Sequence, residues 1–302
     1  MAGARHEPVL VREVLGFLRN GPGVYLDATI GGGGHAAALL ETEPGARILG
    51  CDRDPGALAE SRARLAAFGS RVMLSHARFS ELPRALAEHG VERLRGALLD
   101  LGLSSLQLDD PARGLSFQSG GPLDFRMDPT RGPVLADKLA GVAETELADV
   151  LAREGEVPRA RAVARALLRA RDQGALHDTR DLVHAAARGL GSRHPRRLAQ
   201  VFQALRRWVN EEGADLQAAL EFLARTLEPG GVLVTLAYHS GEDRTIKQAI
   251  RGTAAAAGRF PDSRPTSPWE AITRRVVTPS DEEVARNPRA RSAKLRAARR
   301  RG

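Results

Sequence analysis

The sequence predicts an α/β fold: a largely parallel sheet with helices on both faces, broken once by an all-helical segment and then resumed. Three observations predict it. Strand and helix patterns alternate from Tyr25 to Leu101, and the strands are near-continuous apolar runs, as strands buried on both faces are. The first strand ends in an acid, Asp27, and four glycines, Gly31 to Gly34, before a helix starts at His35. From Pro133 to Glu212 only helical periodicity is present, and strand patterns return at Val232.

Taken in order, Val11, Val14, Leu15 and Leu18 recur at helical spacing, and Asn20-Gly21-Pro22-Gly23 stops that helix. After the glycine loop a helix is expected from His35 to Thr42, then strand two over Ile48–Asp52. Asp54-Pro55 opens a helix to about Phe68, with proline at a tolerated first-turn position. Strand three is expected over Arg71–Ser75, a helix over Ser80–Glu88 and strand four over Gly96–Leu101. Leu103 to Met127 reads as a long ordered loop, a feature that compact domains usually keep for function. The helical segments then run over Val134–Gly141, Glu144–Arg153, Arg159–Arg171, Thr179–Gly189 and Pro195–Glu212. In the last, Leu198, Val201, Phe202, Leu205, Trp208 and Val209 form one apolar stripe. Gln203, Arg206, Arg207 and Asn210 fall off that stripe, as a solvated face or a nucleic-acid contact. A helix over Ala214–Leu227 and a strand over Val232–Tyr238 follow. A helix then runs to about Ala257. Ala271–Thr278 reads as a strand, and Asn287–Arg296 as a final strand beside it.

The 302 residues suffice for one large domain or two smaller ones. No apolar run reaches membrane-spanning length and the N-terminus lacks a signal-peptide pattern, so a cytoplasmic protein without a membrane partner is expected. Cys51 is the only cysteine, which excludes an internal disulfide and a cysteine zinc cluster. The formal charge of +8 suggests a polyanionic partner. Lys138, Lys247 and Lys294 are the only lysines among 45 basic residues. Arginine suits bidentate phosphate contacts, and the same bias arises from a GC-rich genome.

Ligands on open α/β sheets bind at the carboxyl ends of the strands. Asp27, Asp52, Phe79 and Asp100 lie at or just past those ends. An acid at the tip of strand two is where a nucleotide ribose is held. Gly31, Gly33 and Ala36 satisfy a relaxed dinucleotide pattern. The acid at Asp27 favours S-adenosylmethionine instead, because dinucleotide loops more often have an apolar residue there. A dinucleotide oxidoreductase and a non-catalytic RNA-binding assembly factor are the competing readings.

Several blocks together resemble one family. They are Pro8-Val9-Leu10 after His6, the Asp27-to-His35 loop, Cys51-Asp52-Arg53-Asp54-Pro55 and Leu99-Asp100-Leu101-Gly102-Leu103-Ser104-Ser105 through Asp109. Gly121-Pro122-Leu123-Asp124-Phe125-Arg126-Met127-Asp128, Phe202-Gln203-Ala204-Leu205-Arg206 and Tyr238-His239-Ser240 with Glu242-Asp243-Arg244 follow, and Asn287 to Ser292 closes the set. In this order, over essentially the whole chain, they resemble the bacterial small-subunit rRNA methyltransferase H (MraW) family. The resemblance implies a Rossmann-like S-adenosylmethionine-dependent methyltransferase sheet with an inserted all-helical domain. The methyltransferase domain would span 1–105 and 213–302, and 106–212 would be a loop plus helical insert for RNA recognition. The implied reaction methylates the exocyclic N4 of a cytidine in the decoding region of 16S rRNA within the small ribosomal subunit. Gly33, Gly34, His35, Asp52, Phe79, Asp100 and Gln107 would hold the cofactor. A monomer or a homodimer is compatible with all of this.

The chemistry adds candidates. Cytosine N4 is a poor nucleophile whose lone pair is delocalised, and it must lose a proton as it gains the methyl. A hydrogen-bond acceptor beside the amine and a pocket for an unstacked base are therefore expected. Asp100 and Ser104 occupy that place after strand four. His239, Ser240 and Asp243 would line the opposite wall, with Arg126, Arg206 and Asn210 as RNA contacts. His239, Glu242 and Asp243 could also be read as metal ligands, but three polar residues after a strand more often form a turn, and no metal is expected.

Overall fold

The computed structural model describes residues 8–118, 120–252 and 267–302. His6 lies outside the described residues, as do positions 253–257 of the helix expected to run to Ala257. The chain falls into two compact units, residues 1–102 with 215–302, and residues 103–214.

In the first unit, α1 (Val11–Leu18) leads to β1 (Gly23–Asp27), α2 (Gly34–Thr42), β2 (Ala46–Asp52), α3 (Pro55–Leu65), β3 (Val72–His76), α4 (Leu82–Glu88) and β4 (Leu94–Asp100). Each expected element is present with ends shifted by a few residues. A 3-10 turn over Phe79–Glu81 precedes α4, so its start moves from Ser80 to Leu82.

The second unit holds a short helix α5 (Ser105–Asp109), then α6 (Leu135–Gly141), α7 (Glu144–Gly155), α8 (Ala160–Asp172), α9 (Thr179–Leu190) and α10 (Pro195–Asn210). The expected long loop thus contains α5 and a 3-10 turn over Pro111–Arg113. One core of Leu, Val and Ala side chains fills this unit, with Phe202 against both Phe117 and Phe125.

The chain returns to the first unit along α11 (Glu212–Thr226). It continues through β5 (Leu227–Ala237), α12 (Ser240–Arg251), β6 (Trp269–Ala271), α13 (Asp281–Arg286) and β7 (Lys294–Arg300). Two expectations change here. The strand expected over Ala271–Thr278 is cut to Trp269–Ala271, with Val277 making only an isolated bridge to Leu295. The tail strand begins at Lys294, because Pro288–Ser292 closes a 3-10 turn first. β5 also starts earlier than expected. Leu227 pairs with Leu94, and the ladder resumes at Val232 with Gly96, so Glu228-Pro229-Gly230-Gly231 forms an irregularity inside the strand.

Among the described residues the sheet has seven strands in the order β3-β2-β1-β4-β5-β7-β6. β1 to β5 are parallel, and β7 runs antiparallel between β5 and β6. Successive strand residues face opposite ways, which yields two cores. Leu26, Leu49, Leu99 and Leu233 face α4, α11 and α12. Tyr25, Ile48, Leu98 and Val234 face α1, α2 and α3. Each such leucine or valine contributes about 1.5–3 kcal/mol by burial. Among the described residues no helix is long and apolar enough to cross a membrane.

This topology positions the site. Strand order reverses where β1 lies between β2 and β4. The turns leaving β1 and β4 diverge there, opening a crevice at their carboxyl ends.

Candidate active site

The glycine loop is built on the end of β1. Gly31 and Gly33 adopt φ of +50° and +76°, which side chains with a Cβ disfavour. Packing explains the rest. A Cβ on Gly32 would stand 2.8 Å from Glu60, and one on Gly34 2.8 Å from Pro8. The missing Cβ atoms thus let the loop lie close to α3 and to the N-terminal segment, rather than only opening space for a ligand. No side chain caps α2. Its first-turn N–H groups therefore lack a side-chain acceptor of the kind that ends most helices.

Asp52 ties this loop to the next. Its Oδ2 accepts from the Gly31 N–H at 3.0 Å and its Oδ1 from the Asp54 N–H at 2.9 Å. Burial pushes the carboxyl up to about 6, while those two N–H groups pull it back. A carboxylate has about four lone-pair sites, so Asp52 retains acceptor capacity toward a ribose. Phe79 opens the 3-10 turn after β3 and packs against the core beneath β4 and α4.

Asp27 is buried at 4% exposure beside the loop. Its Oδ1 accepts from the Thr29 N–H at 3.2 Å. Desolvation pushes this carboxyl up to about 7, and the nearby His35 and the Thr29 N–H oppose the rise. The native carboxyl therefore keeps its proton well above its ordinary value of 3.8. Between those values the folded chain binds more protons than the unfolded one, so stability falls as pH rises through the window. Asp27→Asn keeps the acceptor oxygen and removes the titration. Its melting temperature relative to wild type should be unchanged near pH 4. It should rise by an amount worth about 1.4 kcal/mol per pH unit up to about pH 7. Melting curves of both proteins across pH check this, and a constant difference would refute it.

Asp100 closes β4. Its N–H donates to Thr29 Oγ1 at 2.7 Å, tying it to the Asp27 turn. Its Oδ1 accepts from the Tyr238 hydroxyl at 3.0 Å, and its Oδ2 lies 3.6 Å from His35 Nε2. His35 is 7% exposed, and neither of its ring nitrogens has a hydrogen-bond partner. A buried polar pair left in this state is destabilising unless something else supplies the partner.

The remaining sequence candidates are placed as follows. His239 caps α12: its Nδ1 accepts from the Gly241 N–H at 3.2 Å and faces the Glu242 N–H at 3.5 Å. Its Nε2 lies 2.7 Å from Glu242 Oε1. With Nδ1 an acceptor, Nε2 carries the proton and donates. Ser240 begins α12, and Asp243 pairs through both oxygens with Arg296 of β7. The set His239, Glu242 and Asp243 thus serves caps and ion pairs. Among the described residues no group of three or more His, Cys, Asp or Glu stands together as metal ligands.

In the second unit, Ser104 and Gln107 cap α5 reciprocally. The Gln107 N–H donates to Ser104 Oγ at 3.3 Å, and the Ser104 N–H to Gln107 Oε1 at 3.1 Å. Arg126 forks onto Asp124 with two 2.8 Å bonds, and Arg206 onto Glu212 likewise. Arg207 pairs with Glu154. Asn210 is buried; it accepts from the Met127 N–H and donates to the Phe125 carbonyl, both at 2.8 Å. Arg206, Arg207 and Asn210 on the polar side of α10 therefore hold neighbouring segments of their own unit, while Gln203 is half-buried.

Sequence reasoning missed Tyr238 and Thr29 as partners of Asp100. The β4–β5 pairing that brings Tyr238 alongside is a long-range register. The signals for Tyr238 were its place at the end of an apolar strand and in one of the blocks that carry the family resemblance.

Comparisons with known proteins match the chain over nearly its full length. The model of the MraW methylase family matches residues 3–301. The ribosomal RNA small subunit methyltransferase H of Sorangium cellulosum is 48% identical over 307 residues, covering 99% of this chain and 92% of that protein. The protein of the same name from Anaeromyxobacter sp. strain K is 45% identical over 306 residues, covering 98% of each. That of Methylobacterium nodulans is 44% identical, covering 97% of this chain and 89% of the relative. Because the match runs through the glycine loop, the helical unit and the tail strand alike, the chain belongs to the MraW methylase family.

Proposed function

We propose that this chain methylates the exocyclic N4 of a cytidine in the decoding region of 16S rRNA. The coarser activity, S-adenosylmethionine-dependent methylation of small-subunit rRNA, goes with membership of the family. By the family resemblance, Gly33, Gly34, His35, Asp52, Phe79 and Asp100 would hold the cofactor, and Gln107 is a further candidate. They fit the group: His35 holds two unsatisfied buried nitrogens, Asp52 keeps free lone pairs, and α2 begins without a side-chain cap. When bound, S-adenosylmethionine supplies an electrophilic methyl on a sulfonium.

The observation that carries the N4 reading is the state of Asp100, taken together with an inert thiol at Cys51. One carboxylate oxygen is committed to Tyr238, and the other faces His35 without a hydrogen bond. Asp100 Oδ2 accepts the hydrogen bond of the amine and takes its proton as the new bond forms. Methylation at cytosine C5 would instead call for a thiolate nucleophile. Cys51 is fully buried and its thiol is pushed up to about 12 by desolvation and by Asp27 and Asp52. His239, with its Nε2 proton directed at Glu242, acts as a donor that shapes the wall rather than as a base. Ser104 keeps a hydroxyl proton to donate while its oxygen caps α5. Arg161, Arg169, Arg188, Arg193 and Arg196 of the second unit are exposed and suit phosphate contacts with RNA.

The test uses unmethylated bacterial small subunits and, separately, naked 16S rRNA, with labelled S-adenosylmethionine. Products are digested to nucleosides and identified by mass spectrometry. N4-methylated cytidine formed on the assembled particle is the expected result. A different methylated nucleoside overturns the N4 assignment while leaving the cofactor in place.

A further inference from the structure

Asp100 has two chemically equivalent oxygens, and something must decide which one meets the reacting group. β4 and β5 are paired up to Asp100 and Leu236, and Tyr238 follows just past the end of β5. Its hydroxyl donates to Asp100 Oδ1 at 3.0 Å across 138 residues of sequence. We propose that Tyr238 is a positioning residue for Asp100: its phenol occupies Oδ1 and thereby presents Oδ2 to the methyl acceptor. The proposal rests on the reading of Asp100 as that acceptor's partner.

The surroundings hold the phenol in place. The ring lies against Gly102, where a Cβ would already stand 3.4 Å from Tyr238 Cδ2. The Tyr238 N–H donates to Glu242 Oε2 at 3.3 Å, and the other oxygen of this buried carboxylate engages His239. Glu242 thus anchors both residues that follow β5. Asp100 in turn is fixed through its backbone by Thr29, so rotation of its side chain, about Cα–Cβ and about the bond to the carboxylate, is the freedom that remains. The Tyr238 bond removes it.

The choice of a phenol matters chemically. Burial and the negative charge of Asp100 both push the Tyr238 hydroxyl upward from its ordinary value. It therefore stays a neutral donor throughout the range in which the enzyme works. An arginine or lysine at this point would form an ion pair and compensate the carboxylate charge. A neutral donor orders the carboxylate and leaves its negative charge for the proton that the amine releases.

The experiment compares the full-length wild type, Tyr238→Phe, Asp100→Asn and the double variant on small subunits, at saturating cofactor and substrate. Tyr238→Phe should lower kcat about tenfold, as expected for a lost hydrogen bond to a charged group. Its KM for the particle and its affinity for S-adenosylmethionine should stay within about twofold of wild type. The double variant should be no slower than Asp100→Asn, because the hydroxyl acts only through that carboxylate. A wild-type kcat for Tyr238→Phe, or losses that multiply in the double variant, would overturn the proposal. Full activity of Asp100→Asn would instead sink the reading of Asp100 itself. The methylated nucleoside, identified in the same reactions, tests the N4 assignment separately. Should Tyr238→Phe fail to fold, 13Cζ-tyrosine NMR decides. The chain has two tyrosines, Tyr25 and Tyr238. In Asp100→Asn the Tyr238 signal should shift and the Tyr25 signal stay. An unmoved Tyr238 signal would refute the contact.

Discussion

Asp100→Ala should reduce the rate of methylation by about 10³-fold at saturating cofactor and small subunits, within the range known for lost acid–base groups. The argument is geometric. Asp100 stands at the carboxyl end of β4, next to the point where strand order reverses. Among its contacts, Tyr238 occupies Oδ1 and Thr29 holds the backbone, which leaves Oδ2 for an incoming donor. Alanine removes the acceptor while the sheet around it, from Leu94 to Leu99, keeps its packing. Because the family resemblance also places Asp100 at the cofactor, affinity for S-adenosylmethionine must be measured beside turnover. A fall in kcat with cofactor affinity weakened severalfold at most is the expected pattern. Full turnover with unchanged affinity would mean that Asp100 plays no part in the transfer.

Asn210→Ala should destabilise the second unit by about 3 kcal/mol, through loss of buried hydrogen bonds. The melting temperature should fall by roughly 13 °C, taking about 2.1 cal/mol/K of unfolding entropy per residue over residues 103–214. Asn210 lies at the end of α10 and reaches the segment around Phe125 and Met127, 83 residues earlier. Phe125 adopts φ of +65°, an unusual conformation for a side chain of that size. The segment is held there by the Asn210 amide, which satisfies the Phe125 carbonyl and the Met127 N–H together. Alanine leaves both groups buried without their partner. Gln203 lies on the same helix, and Gln203→Ala should change stability by less than about 0.5 kcal/mol. Thermal unfolding followed by circular dichroism separates the two. Equal effects of the two substitutions would show that the clamp contributes nothing.

Asn210 also shows where reading periodicity stops. The apolar stripe of α10 was legible: Leu198, Val201, Phe202, Leu205 and Val209 are all buried. The polar residues beside it were expected to face solvent or RNA, since a helical wheel divides positions only into apolar and polar. It carries no information about a second segment crossing the polar side. Arg206, Arg207 and Asn210 are held there because Glu212, Glu154 and the Phe125–Met127 segment supply their partners.

The tail gives a second case. A strand near the C-terminus was expected, but over Asn287–Arg296. Pro288 and the turn after it delay the strand to Lys294, and its length is set by pairing with β5 from Ala237 back to Val232. Lys294-Leu295-Arg296-Ala297-Ala298-Arg299-Arg300 has weak strand propensity of its own. Its strand exists because β5 presents an unpaired edge, which outweighs local preference.

The features legible along the chain are those that depend on neighbouring residues. The alternation of strand and helix, the apolar strands, the glycine loop after β1 and the acids Asp27, Asp52 and Asp100 at strand ends all follow from local patterns. These patterns are local because helices and strands impose their periods residue by residue. Which side chains meet follows from the three-dimensional packing. The Tyr238 hydroxyl reaches Asp100 across 138 residues, and Glu242 secures both His239 and Tyr238. Such contacts depend on strand order and register, and those are settled by the burial of both faces of the sheet at once.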